Sequence, residues 1–203
     1  RIMGKHGWAS LMRKGLRVLR AEVQLGARRL GFRFQRCMSL REVALAHKLE
    51  IIESAEFDQN ALAEYVRRNR IDAVLVCMFS KILKCPLLDA PRLGCLNVHP
   101  SLLPTYRGPH PFYWVLANGE TRTGVTLHFM DEGIDTGSIL LQREVEIRPG
   151  DDEKALLKRT IRILADVVPD AFALLANGKV SGTPQDESRA TYYSLPPKGA
   201  SRL

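Results

Sequence analysis

Asn97 and His99 stand two residues apart at the end of an apolar run that Pro100 stops, and Asp135 lies in the stretch Asp131-Glu132-Gly133-Ile134-Asp135-Thr136-Gly137. In a strand, side chains two apart share a face. Asn97 and His99 therefore point the same way from the C-terminal end of a strand, which is where open α/β sheets build their sites. The Asp135 stretch is a connection, because Gly and Asp are turn formers. An amide offers N–H donors but takes no proton. An imidazole gives and takes protons near neutral pH. Each residue also has a structural reading: strand-end cap for Asn97, satisfied histidine for His99, turn residue for Asp135.

Other chemistries fit less well. His99, His110 and His128 lack close metal-ligand spacing, so no zinc site is expected. Asp131, Glu132 and Asp135 lack the alternating pattern of a calcium loop. Ser101 does not sit in a Gly-x-Ser-x-Gly turn and is expected to hydrogen-bond near the site.

The elements that must position these residues follow from pattern. Ser39 caps a helix through Leu49, with Glu42 completing a capping box. Residues 50–53 are a short strand, and a helix runs from Asp58 or Gln59 to Arg68. Residues 72–79 (DAVLVCMF) are a continuous apolar run expected to be a strand buried on both faces. Residues 80–88 form a short helix or turn broken at Pro86, and residues 94–99 the next strand. Strands alternating with helical segments indicate βαβ units and a parallel sheet. Phe112 to Ala117 form a helix, and residues 123–130 and 138–147 an antiparallel hairpin around the acidic loop. Residues 152–176 form a long helix with an Asp cap, Leu156, Ile163, Val167 and Leu174 inward, Gly178 as stop, and Pro169 as a kink or break. The tail is polar and turn-rich.

A chain of 203 residues with 45% apolar residues holds one globular domain, or one plus an appendage. The net charge of +8 is uneven. Residues 1–36 hold ten Lys or Arg against Glu22, which is +9 and leaves −1 for the rest. Residues 8–30 read as a basic amphipathic helix, which either packs on the body or contacts a membrane surface or polyanion. A basic arm on a neutral body is weak evidence for nucleic acid. Cys37, Cys77, Cys85 and Cys95 have no C-x-x-C spacing and read as small buried hydrophobes, with a disulfide pair as the alternative. No apolar run reaches the ~18 residues of a membrane span, and no secretory leader is recognisable, so the cytoplasm is expected.

The central stretch resembles the folate-dependent formyltransferases, which move a formyl group from 10-formyltetrahydrofolate to an amine. The match is Asn97-x-His99-Pro-Ser101-Leu-Leu-Pro104, Gly108, Thr123-Gly124-Val-Thr126-x-His128 and Asp135-x-Gly137. It extends through Phe79-Ser80-Lys81-Ile82-Leu83 and Leu195-Pro196-Pro197-Lys198-Gly199, so it covers about residues 39–200. The resemblance implies a Rossmann-like three-layer α/β domain over residues 39–203, with a mostly parallel sheet and a C-terminal antiparallel hairpin. It carries catalytic roles to Asn97, His99 and Asp135. The amide and imidazole would steady the oxyanion formed when an amine attacks the formyl carbon. Asp135 would orient His99 or collect the amine's proton through water. The folate pocket would lie between the loop after residue 79 and the Asp135 loop. Met78, Phe79, Ile82 and Leu83 would be its apolar wall, with Asp131 and Gly133 from the second loop; core packing is the alternative for the four apolar residues. Ser101 and Arg107 would meet the acceptor. No metal is required.

Two departures shape the functional expectation. Members of the family begin with a strand and a Gly/Ser-rich loop, and residues 1–38 hold neither, so the domain is expected to lack or to have exchanged its first strand. Methionyl-tRNA members carry an extra C-terminal domain, whereas this chain ends near the end of the catalytic part. A small-molecule amine acceptor, such as an amino sugar, is therefore expected over nucleic acid. The alternatives are hydrolysis of 10-formyltetrahydrofolate and a catalytically silent protein tethered by its basic helix.

Overall fold

The computed structural model describes residues 40–51, 57–178, 181–197 and 199–200. The chain divides into two compact units between Asp58 and Gln59. In the first unit, helix α1 spans Leu40–Ala46. It stops before the expected Leu49, because Lys48 takes a left-handed φ of 55°. The arm of residues 1–38, its helix over 8–30, the cap Ser39 and residues 52–53 of the expected first strand lie outside the described residues; Glu50 and Ile51 are not in a strand.

The second unit runs α2 (Gln59–Arg68), β1 (Val74–Cys77), β2 (Cys95–His99), α3 (Pro111–Ala117), β3 (Arg122–Phe129), β4 (Ile139–Glu146) and α4 (Glu153–Ala176). The strands form one sheet in the order β1-β2-β3-β4. β1 and β2 are parallel, while β2–β3 and β3–β4 are antiparallel. The sheet is therefore mixed where a mostly parallel one was expected: with no strand seen at 50–51, a single parallel pair is left among the described residues. The same fact corrects the burial of β1. Val74 to Val76 are half-buried and Cys77 is exposed, because the outer edge of β1 meets no further described strand. Of the helix or turn expected over 80–88, the structure has a turn over residues 85–89, and residues 80–84 hold no helix.

Strand alternation divides the sheet's work. Val98, Val125 and Leu127 face α4 and form a core with its Val167 and Ala171. Each such buried aliphatic side chain stabilises the fold by ~1.5–3 kcal/mol. Asn97, His99, Thr126 and His128 alternate with these residues and occupy the other face. The register sets Asn97 opposite His128 and His99 opposite Thr126. The Asp152 carboxylate caps α4 by accepting from the Ala155 N–H at 2.7 Å. Pro169 neither splits nor ends α4. Pro169 and Ala165 are both exposed, so the carbonyl left unpaired by the missing N–H faces water.

The loop after β2 is tied to β3. Thr126 donates its hydroxyl to the Ser101 carbonyl at 2.7 Å, and Gln142 of β4 donates to both Thr126 Oγ1 (2.7 Å) and the Leu103 carbonyl (3.0 Å). This loop lies so close to β3 that a Cβ on Gly124 would meet the Leu102 side chain and the Arg143 carbonyl. Gly124→Ala is expected to cost about 1–3 kcal/mol of stability through overpacking, read by chemical denaturation. A midpoint equal to the parent's would contradict the close approach.

Candidate active site

Three backbone segments meet where β2 and β3 face the acidic loop. β2 supplies Asn97 and His99, β3 supplies His128, and the loop between β3 and β4 brings in Asp135. Asp135 adopts a left-handed φ of 56°, a conformation that costs a non-glycine residue energy but that Asp tolerates better than most. Its side chain is 13% exposed.

Each carboxylate oxygen has two partners. Oδ2 accepts from the Gly108 backbone N–H at 2.9 Å and lies 3.5 Å from His99 Nδ1. Oδ1 accepts from Asn97 Nδ2 at 3.3 Å and lies 3.5 Å from His128 Nε2. The 3.5 Å separations are ion-pair distances and not tight hydrogen bonds. Gly108 has a φ of +95°, and a Cβ there would collide with the Tyr193 carbonyl. Only glycine lets that N–H reach Asp135.

Main-chain carbonyls fix both imidazoles. His99 Nε2 is 2.8 Å from the Tyr106 carbonyl, and His128 Nδ1 is 2.7 Å from the Phe129 carbonyl. A carbonyl only accepts, so these two nitrogens carry protons. In their neutral forms His99 Nδ1 and His128 Nε2 are lone pairs, and both face the Asp135 region. Asn97 Nδ2 also lies 3.3 Å from His128 Nε2, consistent with a lone pair there.

Burial pushes the pKa of His99 down, against the opposing pull of the Asp135 carboxylate. Burial alone would raise that of Asp135. The Gly108 N–H, together with the attraction the His128 and His99 rings exert whenever they are protonated, outweighs it and holds Asp135 below the usual carboxylate range. The result is a neutral imidazole beside an ionised carboxylate: a base with a counter-charge ready for the proton it takes.

The other expected residues separate into two groups. Met78 and Ile82 are largely exposed, and Phe79 is exposed to a smaller degree. The opposite loop exposes Ile134 as well. Glu132 of that loop lies near enough to Cys85 to act on its thiol. Asp89 first, then burial and Glu132, push that thiol up to about 11. Asp131 Oδ1 accepts from the Gly133 N–H (3.0 Å) and the Thr136 hydroxyl (2.6 Å) and so shapes the loop from within.

Three expected contact residues do not present themselves at the surface. Leu83 is buried and belongs to the core. Ser101 is fully buried, and its hydroxyl donates to the Thr105 carbonyl at 2.7 Å. Arg107 is buried and paired with Glu187 at 2.6 Å, with Gln185 taking the rest of its fork. The expected acceptor-facing Arg107 is thereby an internal clamp. Sequence reasoning missed His128 as a member of this cluster. Its signal was the Thr126-x-His128 pair, which repeats the i, i+2 spacing of Asn97-x-His99. Among the described residues, no group of His, Cys, Asp or Glu could hold a metal ion, and no helix is long and apolar enough to cross a membrane. A cavity of about 340 Å³ lined by Asp72, Arg92, Phe172 and Leu175 lies at the opposite strand ends and contains none of these groups.

An α/β domain that gathers an amide, two imidazoles and a carboxylate at one strand end holds groups able to donate hydrogen bonds and to take a proton. The chain belongs to the formyl transferase family, whose pattern matches residues 34–171. It is 41% identical over 152 residues to a methionyl-tRNA formyltransferase of Syntrophus aciditrophicus, covering 75% of this chain and 49% of that protein. It is 38% identical over 156 residues to the methionyl-tRNA formyltransferase of Thermotoga maritima, covering 77% and 50%. The chain thus spans about half the length of these curated relatives. Its fold superposes on glycinamide ribonucleotide transformylase 1 from Symbiobacterium toebii with a TM-score of 0.63 and 28% identity, over 70% of this chain and 73% of the other. The formyltransferase PseJ from Anoxybacillus kamchatkensis gives a TM-score of 0.59 and 26% identity, over 77% and 80%. The expected Rossmann-like formyltransferase fold is borne out, with the sheet composition corrected as above.

The site makes folding pH-dependent in a defined direction. A histidine whose folded pKa is lowered contributes stability that begins to fall as pH drops below its unfolded value of ~6.5. Asp135, also lowered, loses its contribution further down, from ~3.9 through its folded pKa. Denaturation measured against pH should therefore show stability decreasing on acidification from about pH 6.5. In His99→Asn, which takes no proton, the decrease should begin only in the carboxylate range. An identical upper limb in parent and variant would contradict the assignment.

Proposed function

We propose that this chain transfers a formyl group from 10-formyltetrahydrofolate to a primary amine at the Asn97, His99, Asp135 and His128 cluster. The observation that carries the reading is the buried carboxylate facing an unprotonated imidazole nitrogen beside an amide donor. When bound, 10-formyltetrahydrofolate supplies the formyl carbon that the amine attacks. The exposed apolar side chains Met78, Phe79, Ile82 and Ile134 offer apolar surface for the flat ring system of a folate. Concave sites take such ligands with apolar walls and few polar contacts.

Asn97, whose amide donates across long 3.3 Å contacts to Asp135 and His128, turns an N–H to the carbonyl oxygen as it gathers negative charge. His99 Nδ1 holds the proton that the amine gives up, because Nε2 is committed to the Tyr106 carbonyl. Asp135 stabilises the resulting imidazolium through the 3.5 Å pair. Asp131 and Gly133 act by shaping the loop that carries Asp135, and Ser101 by fixing the loop after His99.

For the acceptor, the methionyl-tRNA formyltransferases to which the chain is 36–45% identical favour the amino group of methionyl-tRNA. A small-molecule amine is the second reading. It is favoured by the likeness to PseJ, solved with a formamido sugar nucleotide and tetrahydrofolate. Release of tetrahydrofolate from 10-formyltetrahydrofolate, followed with methionyl-tRNA, with a panel of amino sugars and with no amine, separates these acceptors from hydrolysis. Asn97→Ala is expected to lower the rate by ~10²–10³, and His99→Ala by ~10²–10⁴. Release with none of the three, or full activity in both variants, would overturn the reading.

A further inference from the structure

Asp135 reaches the imidazoles only because its loop backbone is held in a left-handed turn. The group that holds it from behind is a side chain fifty residues downstream. The Gln185 amide donates one N–H to the Asp135 carbonyl and the other to the Gly137 carbonyl, both at 2.8 Å. Its own carbonyl oxygen accepts from Arg107 Nη2 at 2.8 Å and Nε at 3.2 Å. All its polar capacity is spent, and a flipped amide would set oxygen against two carbonyls and N–H against a guanidinium. Glu187 anchors the far side by accepting from Arg107 Nη1 at 2.9 Å and Nη2 at 2.6 Å, a bidentate pair.

The contacts close a ring. Arg107 is followed in the chain by Gly108, whose N–H grips the Asp135 carboxylate from the front. The Arg107 backbone is in turn tied to the tail: its N–H donates to the Thr191 carbonyl, and its carbonyl accepts from the Tyr193 N–H, both at 2.9 Å. Asp135 is thus gripped at its carboxylate and at its carbonyl by two arms that meet at residues 107–108. Gln185 lies beyond the residues matched by the family pattern, which end at 171.

We propose that Gln185 is a positioning residue for the reaction: through its amide, braced by Arg107 and Glu187, it sets the distance between the Asp135 carboxylate and the His99 and His128 imidazoles. No other side chain replaces it. Glu lacks the two donors, Asn is one methylene short, and Lys or Arg lacks the acceptor. The functional consequence rests on the proposed formyl transfer; the geometric one does not. Asp135 and His128 are the charged and titratable groups that act on His99, so a retreat of Asp135 is read directly in the His99 titration.

The test uses the full chain and the variant Gln185→Met, which keeps the side chain's length and removes its amide. Titration of the His99 imidazole by NMR, with no ligand present, is expected to move downward by roughly half a unit to one unit, as the opposite charge that favours its protonated form withdraws. A loss of global stability alone would leave that titration where it is. With 10-formyltetrahydrofolate and an accepted amine, kcat should fall about tenfold to a hundredfold and KM for the folate should stay within about twofold, since the apolar wall is untouched. An unmoved titration in folded Gln185→Met overturns the proposal. If that variant does not fold, Glu187→Ala, at the exposed end of the same chain of contacts, is expected to give a smaller downward shift, and no shift there overturns it equally. A parent protein without formyl transfer would sink the functional reading and leave the titration result standing.

Discussion

The Asp135 carboxylate must stay ionised while almost entirely enclosed, and the rest of the site follows from how that is achieved. Burial of a carboxylate favours the neutral acid. Here the Gly108 N–H and the Asn97 amide N–H donate to the two oxygens, and with the attraction of either imidazole when protonated they more than offset that tendency. The backbone carrying the group is in a conformation that costs on the order of 1–3 kcal/mol for a non-glycine residue. Met78 and Tyr106 also have positive φ, 51° and 61°. All three lie in loops that carry or border the cluster, and such residues persist only where surrounding contacts over-determine them.

Proton logic follows from two carbonyls. Tyr106 and Phe129 each take the N–H of one imidazole, so the remaining nitrogens turn toward Asp135 as acceptors. Three acceptor groups then converge on one small volume, with Asn97 as the donor among them. Such an arrangement has a standing demand for one more proton. A reaction that begins by removing a proton from an amine supplies it. The sheet makes this arrangement affordable by alternation: Val98, Val125 and Leu127 pack against α4 on one face, leaving the other face free for polar groups.

The sequence made some of this legible. Asn97 and His99 are two apart at a strand end, and the spacing alone places them on one face. The apolar period of α4 and an Asp cap at its start are readable for the same reason, local geometry, and the structure selects Asp152 for the cap. His128 was not placed at the site, because its position depends on the register of β3 against β2, set across a loop of more than twenty residues. The sequence suggests an acceptor-facing Arg107, and the structure buries it instead. Its partners Gln185 and Glu187 are 78 and 80 residues away, a separation at which side-chain pairing leaves no periodic trace. The burial of residues 72–79 was overread: an apolar run shows that a strand belongs in a sheet, not that both its edges and faces are covered.

The central claim is that His99 and His128 hold opposite tautomers and present their free nitrogens to an ionised Asp135. Nitrogen-15 chemical shifts of the two imidazoles at neutral pH test it most directly. The account predicts His99 protonated at Nε2 with Nδ1 bare, and His128 protonated at Nδ1 with Nε2 bare. Finding His99 protonated at Nδ1 alone, or His128 at Nε2 alone, would contradict it.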